Sequence, residues 1–214
     1  MDEVEVRDVA EGLWLWRQPH PAWKEGADWE PAVASFAVES RGTRLLLDPL
    51  APPPDARAVW DRIGAAPPDA VVVLKPDHVR DVDLLVRWYG ADAYGPQLFW
   101  RDDVPATELR AVQPGDDLPG GLLALHDGRN TQETPLFLPE QRALVFADAL
   151  TAPGDGELRV WATPWHEERV LPALRALLDL PFEHVLVSHG EPVHTRADFE
   201  AALTRPPWSD WHGA

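Results

Sequence analysis

The chain of 214 residues is 45% hydrophobic and 26% charged, which is ordinary globular composition and enough length for one substantial core. It contains no cysteine, which excludes disulfides, thiolate metal sites and cysteine nucleophiles. Nineteen Lys and Arg against 36 Asp and Glu give a net charge of −17, and a field of that sign disfavours nucleic acid and anionic membranes as partners.

Export, membrane insertion and division into several domains are not expected from this sequence. No apolar run approaches the roughly 18 residues of a membrane span, and residues 1–5 carry acid where a signal peptide carries Lys or Arg. The 23 prolines are spread in clusters too short for an interdomain linker. We therefore expect a single domain over 1–214, located in the cytoplasm, with a small-molecule partner and no membrane; a homo-oligomer is left open.

Short apolar runs bounded by turn residues predict strands, in chain order over 12–16, 35–39, 43–48, 70–74, 121–126, 134–138, 143–146 and 184–188. Helical periodicity predicts helices over 56–64, 82–90, 167–180 and 196–204, the last with Thr195 as its cap. This order fits paired sheets covered by helices, an αββα sandwich of the α/β class. Periodicity alone leaves other α/β layouts open.

Several of these strands deliver polar side chains at their carboxyl ends, where open sheets place ligand sites. Leu-Leu-Leu-Asp-Pro stands at 45–49, Phe-Ala-Asp at 146–148 and Ser-His-Gly at 188–190. In this order they resemble the early Asp turn, the Phe-x-Gly-Asp segment and the late Gly-His-Gly of the metallo-β-lactamase-fold superfamily. The resemblance covers nearly the whole chain and implies that family's αββα sandwich.

The family's metal motifs are incomplete in this sequence. Pro-Asp-His-Val-Arg-Asp at 76–81 takes the place of His-x-His-x-Asp-His. Only His78 keeps a matching ligand, because Arg80 replaces the acid and Asp81 replaces the last His with an oxygen ligand. Gly-Arg-Asn at 128–130 takes the place of the Gly-His-Thr turn, with Arg129 at the ligand position. The family's bridging acid is kept as Asp148.

The late histidine of the family is kept as His189. The resemblance then implies one ion held by Asp81, Asp148 and His189, with His78 as a fourth ligand or general base. Three mixed ligands do not distinguish zinc from iron or manganese, and a site for two metals is not expected. Such an ion lowers the pKa of a bound water and polarises the substrate oxygen.

A metal-free site is the alternative. Asp81 and Asp148 buried together would repel each other and need positive charge nearby. Arg80 and Arg129 stand where ligands stood in the family, and each could pair bidentately with a carboxylate. Two arginines would then replace the metal as the cationic centre.

Two functions of different classes follow. The first is a divergent hydrolase-like protein with a depleted metal site, acting on a small ester, thioester or amide, with His78, Asp81, Arg80 and Arg129 as catalytic candidates. The second is a metal-free, non-catalytic binding or scaffold protein in which the two arginines supply the lost charge.

Tryptophan is unusually frequent, at 11 residues. Trp23 and Trp29 lie in the polar, Pro-rich stretch 18–31, which matches a loop that overhangs the active site in the resembled family. They are candidates for closing over an apolar or aromatic ligand. Lys75 is a further substrate-binding candidate, with a solvated loop charge as its alternative. Packing against the protein's own surface or a neighbouring subunit is the alternative for both indoles, and the same ambiguity holds for Trp208 and Trp211.

Overall fold

The computed structural model describes residues 4–27, 29–99, 103–129 and 133–209. Within these ranges seven strands form the first sheet in chain order: β1 (Glu5–Ala10), β2 (Leu13–Pro19), β3 (Ala32–Ser40), β4 (Thr43–Leu47), β5 (Ala70–Val72), β6 (Asp92–Gly95) and β7 (Arg110–Ala111). The first four strands are an antiparallel meander, and β4 to β7 run parallel. Two of the parallel connections carry helices, α1 (Arg57–Ala65) and α2 (Val82–Tyr89).

The second sheet contains five of the described strands: β8 (Leu123–Ala124), β9 (Leu136–Leu138), β10 (Ala143–Phe146), β13 (His184–Val187) and β14 (Val193–Thr195). Their spatial order is β14, β13, β10, β9, β8. A small hairpin of β11 (Leu150–Thr151) and β12 (Arg159–Val160) follows β10. Helices α3 (Leu171–Ala176) and α4 (Arg196–Ala202) pack on the second sheet. No helix among the described residues is both long and apolar enough to cross a membrane.

Alternation along the central strands builds the layers, because successive side chains of a strand point to opposite faces. In β4, Leu45 and Leu47 enter the core between the sheets, whereas Leu46 packs outward with α1 and α2. In β10, Val145 faces that same inner core, whereas Phe146 packs outward with α3 and α4. The predicted αββα sandwich is confirmed.

Thr195 caps α4 as predicted, since its hydroxyl accepts from the Asp198 N–H and the Asp198 carboxylate accepts from the Thr195 N–H. The helix predicted over 167–180 is interrupted. A π-helical turn spans His166–Val170, α3 follows, and a 3₁₀ turn covers Leu177–Asp179. Pro172 explains the break, because it has no N–H to bond the preceding turn.

Candidate active site

Three donor side chains converge at one edge of the two sheets. His78 follows β5, Asp148 follows β10 and His189 follows β13. Their ligand atoms all lie within 4.8 Å of one another. Asp148 Oδ1 lies 3.2 Å from His78 Nε2 and 3.1 Å from His189 Nε2, yet it is buried with no partner in hydrogen-bond geometry. A buried acceptor oxygen without a donor is energetically costly. The Asp148 oxygen and the two imidazole nitrogens beside it could all donate electron pairs to one cation, so the three side chains fit a metal site.

Asp48 supports the first histidine from behind. Its Oδ2 lies 2.7 Å from His78 Nδ1, and its Oδ1 accepts the Leu74 N–H at 2.7 Å. The residue is fully buried and has a φ of +43°, a left-handed conformation that Asp tolerates better than most residues. Since Asp48 holds the Nδ1 proton, Nε2 is free to face the cluster, as in carboxylate–histidine–metal arrangements.

Burial alone would lower the pKa of His78, but the carboxylates of Asp148 and Asp48 outweigh it and raise that pKa to about 9. Burial would raise the pKa of Asp148, but His78 and His189 hold it well below its usual range. For His189 burial prevails over the attraction of Asp148, so its pKa is lowered. Without a metal the cluster therefore holds a carboxylate, an imidazolium and a neutral imidazole.

Lys75 provides the other charge contact of Asp148. Its Nζ lies 2.8 Å from Asp148 Oδ2 and 2.5 Å from Asp77 Oδ1. Burial lowers the pKa of Lys75, but these two carboxylates outweigh it and raise that pKa above its usual value. The ammonium thus occupies the edge of Asp148 opposite the two histidines, and Lys75, predicted as a ligand-binding residue, lies inside the cluster itself.

The two arginines make other contacts than the carboxylate pairs expected from the sequence. Arg80 Nη1 donates to the carbonyls of Ala34 at 2.8 Å and Asp48 at 2.5 Å. It therefore ties β3 to the Asp48 turn below the cluster. Arg129 is 5% exposed and forms ion pairs with Asp127 at 2.8 Å and Glu133 at 2.6 Å. Among the described contacts, Asp148 lies against Lys75 and the rings of His78 and His189, and it pairs with neither arginine.

Glu133 shapes the backbone that presents Asp148. Its buried carboxylate accepts three consecutive N–H groups, from Ala147 at 2.8 Å, Asp148 at 2.8 Å and Ala149 at 2.7 Å. Burial raises the pKa of Glu133 to about 7, and the Arg129 guanidinium acts in the opposite direction. Glu133 was not among the residues singled out from the sequence. The sequence feature that points to it is its position four residues after Arg129, a spacing that allows an ion pair.

Asp81 lies outside the convergent group. Its Oδ2 accepts the Ala51 N–H at 2.7 Å, and the residue immediately precedes α2. The carboxylate therefore fastens the turn after β4, and it is not one of the groups whose ligand atoms converge. Of the four candidate metal ligands, the structure brings together His78, Asp148 and His189.

A cavity of about 530 Å³ opens above the cluster. Besides the cluster residues it is lined by His20, Trp29, Val33, Asp77, Arg80, Arg129 and residues 161–165. Trp29 stands edge-on to His189, with ring centroids 5.5 Å apart. Trp23 supports it from outside the cavity, where its Nε1 donates to the Trp29 carbonyl at 2.8 Å. The segment 161–165 contributes Trp161 and Trp165, which the sequence did not single out.

Neither a family model nor a curated protein matches this sequence. Solved structures match it over nearly its whole length. The metallo-β-lactamase FIM-1 from Pseudomonas aeruginosa, in a mono-zinc form, superposes with a TM-score of 0.66 at 16% identity, covering 94% of each chain. A metallo-β-lactamase from Hirschia baltica gives a TM-score of 0.65 at 17% identity, covering 97% of this chain and all of its own. The chain has the metallo-β-lactamase fold.

A metallo-β-lactamase family protein from Thermus thermophilus also matches, with a TM-score of 0.62 at 17% identity over 91% of this chain and 79% of that protein. Identities this low establish the fold and leave the chemistry to the site. Within the metallo-β-lactamase fold of this chain, the convergent set is two imidazoles and one carboxylate, flanked by a buried lysine.

Proposed function

We propose that the protein is a hydrolase that holds a single divalent ion through His78, Asp148 and His189 and acts on a small ester, thioester or amide. The observation that carries the proposal is the convergence of three ligand atoms within 4.8 Å around a buried Asp148 Oδ1 that has no hydrogen-bond partner. Three protein ligands with one position left open are the usual composition of a catalytic zinc site. The mono-zinc form of FIM-1 supports a one-metal site in this fold.

The surroundings of the three ligands fit an ion as well. Asp48 fixes the ring of His78 through Nδ1, the outer contact that orients a ligating histidine. Glu133 fixes the backbone of Asp148. A set of two imidazoles and one carboxylate accepts zinc, iron or manganese, so the proposal does not commit to one element.

When bound, the ion would polarise a substrate carbonyl and lower the pKa of a water molecule. Lys75 holds Asp148 Oδ2 and also lines the cavity, where its ammonium can stabilise negative charge that develops on a substrate oxygen. His20 lines the same cavity. Burial, together with Arg80 and His78, lowers the pKa of His20 to about 4, so its ring is neutral near pH 7.

The neutral His20 ring has a defined tautomer. Its Nδ1 accepts the Ala22 N–H at 3.2 Å, and an accepting nitrogen carries no proton, so the proton lies on Nε2. His20 is therefore a neutral hydrogen-bond donor suited to orient a polar substrate group without adding charge.

Elemental analysis tests the proposal directly. Untagged protein, purified without chelator and supplemented with zinc, iron or manganese, is expected to retain about one equivalent of metal. His189→Ala and Asp148→Asn should lose it, whereas Asp81→Asn, the matched control from the same motif, should keep it. Hydrolysis of a p-nitrophenyl ester or an acyl thioester should disappear with chelator and return with metal. Metal-free protein under every supplement would overturn the proposal.

A second candidate is a metal-free site that binds an anionic small molecule. The observation in its favour is the pairing of Asp148 with Lys75, which gives the carboxylate a cation from the chain itself. Calorimetry of chelator-treated protein with acetate and inorganic phosphate tests it. Binding that is lost in Lys75→Met and insensitive to metal would favour this candidate over the hydrolase.

A further inference from the structure

A second cavity, of about 240 Å³, lies beside the one above the cluster. Trp29 and Trp161 line both cavities, and the second is completed by residues that include Ala27, Thr151 and Trp208. Three of its lining residues are tryptophans, which offer large apolar faces for a ligand. The two cavities therefore share the two aromatic residues Trp29 and Trp161 in their walls.

The chain fixes these walls through backbone hydrogen bonds. Trp208 donates its N–H to the Val160 carbonyl at 2.8 Å, and its own carbonyl accepts the Ala162 N–H at 2.7 Å, so the segment near the C-terminus runs beside β12. On the opposite side, the Glu30 carboxylate accepts the Gly154 N–H at 2.7 Å. The loop that carries Trp29 is thereby tied to the turn after β11. Walls held on both sides suit a preformed binding site.

The charged groups of the cluster line the first cavity, whose walls also include the indoles of Trp29, Trp161 and Trp165. The first holds the charged residues Lys75, Asp148 and Arg129 together with the histidines. The lining of the second is dominated by indoles and small side chains, with Glu30 engaged by the Gly154 N–H. A ligand that matches both would have a polar or anionic head and an apolar tail.

We propose that the two cavities form one extended site for a carboxylic acid or its ester, thioester or amide, with the carbonyl group at the Lys75 and Asp148 end and an apolar acyl tail that passes Trp29 and Trp161 toward Trp208. The inference rests on the proposed function in placing the carbonyl at the cluster, and the tail compartment is its own claim. It assigns the substrate class as acyl compounds with long tails rather than acetyl-sized ones.

Calorimetric titration with straight-chain carboxylates from acetate to decanoate tests the tail compartment without any turnover. A buried methylene contributes about 0.8 kcal/mol, so affinity should rise roughly three- to four-fold for each carbon that enters the second cavity. Trp208→Ala should flatten the rise for the longer acids and leave acetate binding unchanged. Trp88→Ala is the control, because Trp88 is 57% exposed and lines neither of these cavities.

A second variant guards against misfolding of the first. Ala27→Phe places a larger side chain in the second cavity from a loop position and truncates no side chain. In this variant the rise in affinity should therefore stop at a shorter carboxylate than in the unmodified protein. Affinity that is independent of chain length in the unmodified protein, or a gain that survives in both cavity variants, would overturn the inference.

The elemental analysis and this titration test separate claims, so either claim can be contradicted while the other stands. Protein that binds no metal but shows the chain-length dependence would retain the extended site and lose the hydrolase. Protein that binds one metal and shows no chain-length dependence would do the reverse.

Discussion

Lys75 Nζ lies 2.8 Å from Asp148 Oδ2, on the side of the carboxylate opposite the two histidines. Lys75 is 8% exposed and the side chain of Asp148 is 19% exposed, so the pair is mostly but not fully removed from water. Without metal, Asp148 has two cationic neighbours, the Lys75 ammonium at Oδ2 and the protonated His78 ring at Oδ1. Removing the lysine leaves Oδ2 in a largely buried place without its charged donor, which is unfavourable.

Lys75→Met should therefore destabilise chelator-treated protein by about 1–3 kcal/mol. In an Asp148→Asn background the same substitution should cost much less, because no carboxylate oxygen is left without its charged donor. Urea unfolding of the four proteins measures the coupling. Lys24→Met, which changes the chain's other lysine at an exposed loop position, should stay within about 0.5 kcal/mol. Equal costs in both backgrounds would show that the ion pair is not what holds Asp148.

The layers of the fold could be predicted from sequence because its central strands are apolar on both faces. Strands β4, β5, β10 and β13 are buried on both sides, so each reads as a short hydrophobic run. The edge strand β1, Glu5–Ala10, was missed since its partly exposed residues mix charge with apolar groups. Sequence patterns weaken where a strand is half solvated.

The site could be predicted only in part. His78, Asp148 and His189 each end a strand in a recognisable motif, and the topology brings those ends together. The roles of Lys75 and Glu133 depend on side chains that meet across loops, and no periodicity encodes such contacts. The same holds for Arg129, whose direction toward Asp127 and Glu133 is set by tertiary packing.

Arg129→Ala should be strongly destabilising. It would leave the carboxylates of Asp127 and Glu133 buried without their shared cation, at a cost of about 3–5 kcal/mol. Arg110→Ala is the matched control, since its pair with Asp92 is exposed on both sides and exposed pairs contribute little to stability. Thermal and urea unfolding compare the two variants. A loss for Arg129→Ala no larger than that for Arg110→Ala would contradict a structural role for the buried pair.

The buried, neutral side chain of His194 should make the free energy of unfolding decrease as the pH falls. The side chain is 6% exposed, and its Nε2 donates to the Glu191 carbonyl at 2.7 Å. Burial lowers the pKa of His194 below its ordinary value, against a weaker raising effect of the hydrogen bond to Glu191. The unfolded chain therefore takes up a proton at this residue more readily than the folded one.

The stability contributed by neutral His194 is accordingly present above about pH 6.5 and is lost as the pH falls through the lowered pKa. The difference in unfolding free energy between the unmodified protein and His194→Gln should shrink from pH 7 toward pH 5. Urea unfolding across that range, with the imidazole resonance followed by NMR, measures it. Parallel stability curves for the two proteins would exclude this histidine as the source.

Gly190 follows His189 directly and leaves no room for a side chain. Its φ is +83°, and a Cβ there would lie 1.9 Å from the Ala152 carbonyl oxygen. That oxygen accepts the Glu191 N–H at 2.9 Å, and the Ala152 N–H donates to the His189 carbonyl at 3.1 Å. The overlap is with backbone, which no rotamer change relieves, so the substitution must move the strand end that presents His189.

Gly190→Ala should cost about 3 kcal/mol or more, as overpacking adds to the strain of a positive φ, and it should weaken metal retention together with stability. Gly154→Ala is the control: its φ is +60° but nothing lies within 4 Å of the new Cβ, so only the backbone strain of about 1 kcal/mol remains. Unfolding curves and metal content of the two variants decide the matter. If Gly190→Ala behaved like Gly154→Ala in both measurements, the close contact between His189–Glu191 and Ala152 would not be what positions the histidine.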